Sequence, residues 1–354
     1  MRLGHFEALT PLCPACRQLG LDHPLTLEPG AHCNGEDVRS GLLRCAGPAC
    51  GQAYPILRGA PILVPDLPTW LAANLHLVLQ DAPENDAVEA VIGAALGPDA
   101  AFNLVRQQQS TYGHDHYGDL FDTAAEDAPA AGEAPGSVRR ALALALSHLP
   151  ACSGPALDIG CAAGRTSFDL AAATGHLVVG IDLNWQLLGI GRGVLDRGAV
   201  SYPLRRTGNR FERRSRSVEL AGAEAVDFWV ADAMALPFPA GRFGHVVALN
   251  VLDCVPEPPR LVREISRVLA TGGRLALCTP FDWASHATPP AQWLEGPEEV
   301  RALLMAEGLG ADDAGAAAPD MAALRTPFQT SWRVRLHDNA AVTYTTHFHF
   351  GSKT

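Results

Sequence analysis

The chain has 354 residues, of which 47% are hydrophobic, and a formal net charge of −11. This length and apolar content suit one large folded domain with one or two small ones, and they exclude a disordered class. The acidic balance disfavours a protein whose main task is to bind a phosphate backbone. Because the sequence has neither a run of 18 apolar residues nor a secretory leader, we expect a cytoplasmic protein without a membrane partner.

Four cysteines near the start of the chain are spaced like zinc ligands. Cys13 and Cys16 form a CxxC pair. Cys45 and Cys50 form a second pair, with four residues between them. In a cytosolic chain such cysteines favour ligands over disulfides, and four thiolates complete a structural Zn²⁺ site with no open position. The alternative is that the metal has been lost and the cysteines are vestigial.

The segment YPIxxGxPxLxP follows these cysteines at residues 54–65. With the two cysteine pairs, it resembles the small zinc-ribbon activator subunit of tRNA and protein methyltransferases. The resemblance implies a zinc-ribbon-like domain over residues 1–66.

Apolar residues at helical spacing follow, and we interpret residues 67–137 as a helical lid and linker. A second lid helix is predicted around Val88, Val91 and Ile92, and an Ala-, Glu- and Pro-rich linker over residues 123–136. Between them, Tyr112 to Asp119 holds two His, two Tyr and two acids in eight residues. Such a segment favours a lid that closes over two substrates, and a surface loop is the alternative.

An apolar strand over residues 156–159 leads into a Gly-containing turn and then a helix. Gly160 lets the backbone bend and a ligand approach it, and Gly164 lets the helix pack closely. Ala162 stands where a dinucleotide fold prefers Gly, which favours S-adenosylmethionine over NAD. The turn therefore supplies six candidate cofactor-binding residues: Asp158, Gly160, Cys161, Ala162, Gly164 and Arg165.

Three further predicted strands end in polar residues. The second ends at Asp182 and Leu183, and the third ends at Asp232 and Ala233. The fourth ends at Asn250. Ligands bind at the carboxyl ends of the strands in an open α/β sheet, so these positions are further cofactor candidates. Asp182 is placed where a carboxylate binds the ribose hydroxyls.

This order of strands, with LPF at residues 236–238 and RVLxxGG at 267–273, resembles class I S-adenosylmethionine-dependent methyltransferases. The resemblance implies a Rossmann-like α/β sheet of seven strands with an antiparallel last hairpin, over residues 138–354. That hairpin is predicted over residues 329–336 and 342–350, with its turn at Asp338 and Asn339.

A long link over residues 191–225 includes a cluster of six arginines within twelve residues: Arg205, Arg206, Arg210, Arg213, Arg214 and Arg216. Such a cluster is typical of a nucleic-acid arm. A solvated polar excursion is favoured, because only Phe211 interleaves with the arginines.

Four motifs sharpen the resemblance: ALDIGCAxGRxSFxLA, NxxDxxxxP, TPFDWxxxxTPxxxWLxG and TPFxxxWRxR. Together they resemble the methyltransferase domain of the ovothiol-synthesising enzymes, which methylate an imidazole nitrogen of 5-thiohistidine. The chain departs from that family in its zinc ribbon, in lacking the oxidative sulfur-inserting domain, and in the sequence around its last strands. It would supply only the methylation half.

Methyl transfer requires alignment of the acceptor with the methyl group and removal of a proton. Seven residues are candidates for these tasks, the last of them for binding a substrate carboxylate: His116, Tyr117, Asn250, Asp253, Asp282, Trp283 and Arg335. We expect a small-molecule substrate, such as 5-thiohistidine or 5-selenohistidine, and a monomer or homodimer. The alternatives are an rRNA or tRNA base methyltransferase with an N-terminal zinc module, and a non-catalytic scaffold.

Overall fold

The computed structural model describes residues 1–79, 96–121, 134–311 and 329–354. The predicted second lid helix, most of the predicted linker and the TPF of the last motif lie outside these residues.

The described residues form nine α-helices: α1 (Leu3–Leu9), α2 (Pro14–Gln18), α3 (Leu67–Leu79), α4 (Ala101–Tyr117), α5 (Ser137–His148), α6 (Arg165–Thr174), α7 (Trp185–Arg197), α8 (Pro258–Val268) and α9 (Pro297–Ala306). Their strands are β1 (Leu25–Leu27), β2 (His32–Asn34), β3 (Asp37–Cys45), β4 (Ala53–Leu57), β5 (Ala60–Leu63), β6 (Ala156–Ile159), β7 (Val178–Asp182), β8 (Ala199–Thr207), β9 (Arg210–Ser217), β10 (Val226–Ala231), β11 (Phe243–Leu249), β12 (Leu269–Thr279), β13 (Leu309–Ala311), β14 (Gln329–His337) and β15 (Ala340–Lys353).

The centre of the fold is a mostly parallel sheet in the order β10-β7-β6-β11-β12-β15-β13. Strands β10, β7, β6, β11 and β12 pair in parallel, and β15 pairs antiparallel with β12. Every residue of β6, β10 and β11 is buried, as expected for parallel strands covered by helices on both faces. The predicted Rossmann-like fold is confirmed.

The antiparallel hairpin at the end of the chain is also confirmed, with β14 and β15 joined at Asp338 and Asn339. Strand β13 has no counterpart in the prediction. It has only three residues, too few for a period-2 pattern, and its place is set by antiparallel pairing with β15.

The Arg-rich link is not a simple excursion from the sheet. After α7 it forms an antiparallel hairpin of β8 and β9, which packs against α4 and β14. Of its arginines, Arg206 and Arg214 form ion pairs with Glu212, and Arg206 also pairs with Asp338. The positive charges of these two arginines are thus balanced by carboxylates of the fold, as is common on a solvated polar surface.

The N-terminal strands and the central parallel sheet form one continuous sheet. Strands β1, β3, β4 and β5 are antiparallel neighbours, and β5 then pairs in parallel with β10. The register joins Ile62 to Val230 and Leu63 to Ala231. Residues 1–66 are therefore attached to the side of the sheet at β10, next to the strand ends that carry the predicted cofactor residues. Among the described helices, none is both long enough and apolar enough to cross a bilayer.

Candidate cofactor and acceptor site

A cavity of about 610 Å³ lies at the carboxyl ends of the parallel strands. Pockets of this size hold small organic ligands. The structure brings twelve of the predicted site residues together in its wall: His116, Asp158, Gly160, Cys161, Ala162, Asp182, Leu183, Asp232, Ala233, Asn250, Asp253 and Asp282.

The turn after β6 is shaped by residues with a left-handed backbone. Gly160 has a φ of +68°, and a Cβ there would lie 2.4 Å from Cγ2 of Val251. Ala162 has a φ of +47°, a conformation that costs a non-glycine residue energy. Its N–H donates to Oδ2 of Asp182 at 2.9 Å, so the predicted ribose carboxylate also holds the turn in place.

Gly164 and Arg165 lie behind this turn and do not line the cavity. A Cβ on Gly164 would lie 2.5 Å from the Phe228 ring, so the glycine permits close packing of the helix. The Arg165 guanidinium is buried and pairs with Asp119 at 3.1 Å and Asp169 at 3.2 Å. Both residues support the cavity wall rather than face a ligand.

Two more carboxylates at this end of the cavity accept hydrogen bonds from within the protein. Asp158 accepts hydrogen bonds from the hydroxyls of Thr166 at 2.6 Å and Ser167 at 2.7 Å, while burial raises its pKa to about 6. Asp232 accepts from the N–H of Met234 at 2.8 Å. This part of the wall is rigid and polar, with Asp182 and Asp232 on neighbouring strands.

Helix α4 covers the cavity with one face. Gln108, Thr111, Tyr112, Asp115 and His116 line it, and their spacing of three and four residues is that of one helical face. The predicted lid segment that starts at Tyr112 is thus mainly helical, and its alternative interpretation as a surface loop is wrong.

His116 is held as a neutral hydrogen-bond donor. It is 3% exposed, and its Nδ1 accepts the backbone N–H of Arg165 at 3.2 Å. Burial, with a smaller contribution from the Arg165 charge, lowers its pKa to about 3. With Nδ1 used as acceptor, the proton of the neutral ring is on Nε2. His116 can donate a hydrogen bond into the cavity but is a poor general base.

The opposite end of the cavity combines two carboxylates with aromatic rings. Asp253 is 2% exposed, and its Oδ2 accepts the backbone N–H of Asp282 at 2.9 Å. The Asp282 side chain is exposed at the cavity mouth and hydrogen-bonds to Tyr344. Trp332 and Tyr112 complete the aromatic wall.

Backbone strain occurs at this end as well. Asn250 has a φ of +54° and Phe281 a φ of +57°. Left-handed non-glycine residues concentrate at functional sites, where the surrounding structure holds them in place. Asn250 directly follows β11, and Phe281 stands two residues after the end of β12, so both turn the chain at the carboxyl ends of the parallel strands.

Comparison with known proteins agrees with this geometry. A family model described as a methyltransferase domain matches residues 157–277, which span the strands and turns of the cofactor end. This region is an S-adenosylmethionine-dependent methyltransferase domain.

Curated relatives match about a third of this chain. The chain is 32% identical over 121 residues to methyltransferase GfsG of Streptomyces halstedii, which covers 34% of this chain and 36% of that protein. It is 33% identical over 134 residues to demethylmenaquinone methyltransferase of Clavibacter sepedonicus, covering 38% of this chain and 42% of the relative. The chain thus spans well under half the length of these two relatives.

Among solved structures, phosphoethanolamine N-methyltransferase 2 of Haemonchus contortus in complex with S-adenosyl-L-methionine is 15% identical. The match covers 72% of this chain and 59% of that one, with a TM-score of 0.43.

Three predicted catalytic residues lie outside the cavity of the methyltransferase domain. The buried Tyr117 hydroxyl donates to the carbonyl of Ala163 at 2.8 Å. The indole N–H of Trp283 donates to the carbonyl of Leu294 at 3.1 Å. Tyr117 thereby fixes the end of helix α4 that carries His116, and Trp283 fixes the loop that carries Asp282.

The position of Arg335 differs most clearly from the prediction, which was that it binds a substrate carboxylate. Val334 and Leu336 line the cavity, so strand alternation places Arg335 on the other face of β14. Its guanidinium donates to the carbonyl of Arg205 at 3.0 Å and pairs with Asp338. It therefore supports the β8–β9 hairpin and does not reach a substrate carboxylate.

Trp332 and Tyr344 of the acceptor end were not among the predicted site residues, and Tyr112 was predicted only as the start of the lid segment. For Tyr344 a signal existed, because alternation along the last strand placed it on the apolar face. What the pattern could not show is that β14 and β15 extend beyond the end of β12, where their apolar face covers the cavity.

The neutral state of His116 predicts a pH-dependent effect on stability. Its folded pKa lies below the ordinary value, so its contribution is fully present above about pH 6.5 and is lost as the pH falls toward 3. His116→Asn keeps an acceptor near Nδ1 but does not titrate. We expect the melting-temperature difference between wild type and His116→Asn to be larger at pH 7.5 than at pH 5. An exposed control, His32→Asn, should show no such change, and an equal difference at both pH values would contradict the assignment.

The four N-terminal cysteines form one cluster. All four Sγ atoms lie within 4.8 Å of one another, with 3.7 Å between Cys13 and Cys50 and 3.8 Å between Cys16 and Cys45. Four sulfurs at about 2.3 Å from a tetrahedral Zn²⁺ ion are about 3.8 Å apart, so these positions are compatible with zinc. Cys33 is exposed and lies outside this cluster.

Proposed function

We propose that the chain is an S-adenosylmethionine-dependent N-methyltransferase of a small imidazole amino acid, such as 5-thiohistidine or 5-selenohistidine. The observation that carries this proposal is the acceptor end of the cavity, where Asp253 and Asp282 stand among aromatic rings. Carboxylates accept hydrogen bonds from ring N–H groups, and aromatic rings stack against a planar heterocycle. The TPFDW segment, which resembles the ovothiol family, supplies one of these two carboxylates.

The chemistry needs a nucleophilic nitrogen aligned with the methyl group. S-Adenosylmethionine supplies an electrophilic methyl carbon when bound. A carboxylate that accepts the N–H of one imidazole nitrogen orients the ring and increases the electron density of the other. When the nitrogen–carbon bond forms and the sulfur–carbon bond breaks, the ring becomes cationic and can lose a proton to that carboxylate. Asp253 and Asp282 are placed for these tasks.

Small-molecule acceptors are also named for the relatives of the methyltransferase domain. They include demethylmenaquinone in Clavibacter sepedonicus and 27-O-demethylrifamycin SV in Amycolatopsis mediterranei. The RNA alternative rested on the N-terminal zinc module and on the arginine cluster. Since Arg206 and Arg214 pair with Glu212, this hairpin offers fewer unpaired charges to a phosphate backbone than its sequence indicates.

The substrate is tested by methyl transfer from labelled donor to histidine, 5-thiohistidine, 5-selenohistidine and total RNA. We expect turnover on the thio- or selenoimidazole amino acid. Turnover on RNA with none on either amino acid would contradict the proposal in favour of an RNA methyltransferase.

We further propose that the cysteine cluster binds a structural Zn²⁺ ion through Cys13, Cys16, Cys45 and Cys50. Four protein ligands leave no open position, so this ion would stabilise the fold and take no part in methyl transfer.

Elemental analysis of protein purified without chelator should therefore find about one zinc per chain. Cys16→Ser should lower this content, because it removes a buried ligand of the cluster. Cys33→Ser is the matched control and should leave it unchanged. Wild-type protein without zinc would contradict the assignment.

A further inference from the structure

The charges around the cavity are all of one sign. Six aspartates line it, while its described lining residues include no Arg and no Lys. Four of the six accept hydrogen bonds that hold turns or helix starts of the fold, as Asp158, Asp182 and Asp232 do. Asp115 is the fourth, and it caps helix α5 by accepting N–H groups of Ser137 at 2.7 Å and Val138 at 3.3 Å.

Asp253 and Asp282 remain at the acceptor end with capacity to bind a ligand. Asp253 accepts one backbone N–H, and a carboxylate can accept several hydrogen bonds. The rings of Tyr112, Trp332 and Tyr344 lie in the same wall. Carboxylates beside aromatic faces favour a positively charged ligand, by charge and by cation–π attraction.

The cations nearest in sequence to this wall face away from it. Strand alternation puts Arg333 and Arg335 on the face of β14 opposite Val334. Moving Arg335 into the cavity would break its pair with Asp338 and turn the strand over. A substrate carboxylate would therefore find no arginine of β14 to neutralise it.

From this charge distribution we infer that the acceptor is selected as a cation, with Asp282 and Asp253 binding its ammonium and ring N–H groups, and that its carboxylate is not required. This inference rests on the proposed function and specifies which part of the substrate the site recognises. An imidazole amine without a carboxylate should then bind, whereas an imidazole acid without an amine should not.

The test uses full-length protein saturated with S-adenosylhomocysteine and two matched probes in calorimetry. Histamine carries the amine alone, and 3-(imidazol-4-yl)propionate carries the carboxylate alone. We expect histamine to bind at least tenfold more tightly. Asp282→Asn should reduce this preference below threefold, while Glu219→Gln, which neutralises an exposed carboxylate outside the cavity, should preserve it.

Equal or tighter binding of the propionate would overturn the inference, as would failure of histamine to bind at millimolar concentration. Neither result depends on which compound is methylated. If histamine binds through Asp282 but no imidazole compound is methylated, the proposed acceptor is wrong and the selection for cations stands.

Discussion

Asp182→Ala is expected to weaken donor binding by about 1.5–3 kcal/mol, or roughly 10- to 100-fold, while the protein stays folded. The carboxylate is half-buried, lines the cavity and belongs to the last residue of β7, at the position of a ribose-binding acid. It also accepts the N–H groups of Ala162 at 2.9 Å and Asn184 at 2.8 Å. Its loss removes a ligand contact and relaxes the strained turn at Ala162.

Calorimetric titration with S-adenosylhomocysteine measures this effect. Asp169→Ala removes a carboxylate from α6 that lies outside the cavity, and this control should bind the ligand as the wild type does. Wild-type affinity in a folded Asp182→Ala protein would remove Asp182 from the donor site.

Removing the proposed Zn²⁺ ion from the cysteine cluster should also weaken donor binding, by about tenfold or 1.4 kcal/mol. Arg17 stands next to Cys16 on α2, and its Nη2 lies 3.4 Å from Oε1 of Glu264. The other oxygen of Glu264 accepts the N–H of Leu236 at 2.8 Å, directly after the turn that carries Asp232. The N–H of Leu12 donates to Pro237 at 2.8 Å. The cysteine loops thus hold the chain that follows the cofactor turn.

The measurement compares donor affinity before and after chelation, with circular dichroism to show that the catalytic domain stays folded. Arg17→Ala should weaken binding about threefold with the metal retained, because it removes the contact to Glu264 and no thiolate of the cluster. Arg44→Ala is the control, since Arg44 pairs with Glu28 on the exposed side of the same module. Unchanged donor affinity in both the stripped protein and Arg17→Ala would show that the cluster and the donor site are independent.

The cofactor end was predictable because its signals are local. Continuous apolar runs mark the buried parallel strands, and each ends in a glycine or an acid within a few residues. The sequence pattern alone therefore places Gly160, Asp182 and Asp232 at the same edge of the sheet. Helix α4 was harder to predict from the sequence, because its mean hydropathy is low and only one face of it covers the cavity.

The features that the sequence did not predict depend on contacts between distant parts of the chain. No pattern in residues 60–63 shows that β5 pairs with β10, more than 160 positions later. The zinc-ribbon-like segment was therefore predicted as a separate domain, although it extends the catalytic sheet. Arg335 was assigned to the substrate from its residue type, and only the strand register shows which way it faces.

The pairing of β5 with β10 also bears on how the chain folds. All four residues of β5 are buried in the native protein, and their partner strand is synthesised long after them. Until then the N-terminal module has an apolar, unpaired edge, the kind of surface that promotes intermolecular strand pairing. Long-range pairing of this kind also folds slowly. A fragment ending near residue 66 should consequently be prone to aggregation even when its four cysteines hold a metal ion. Early metal binding alone would not protect the nascent chain.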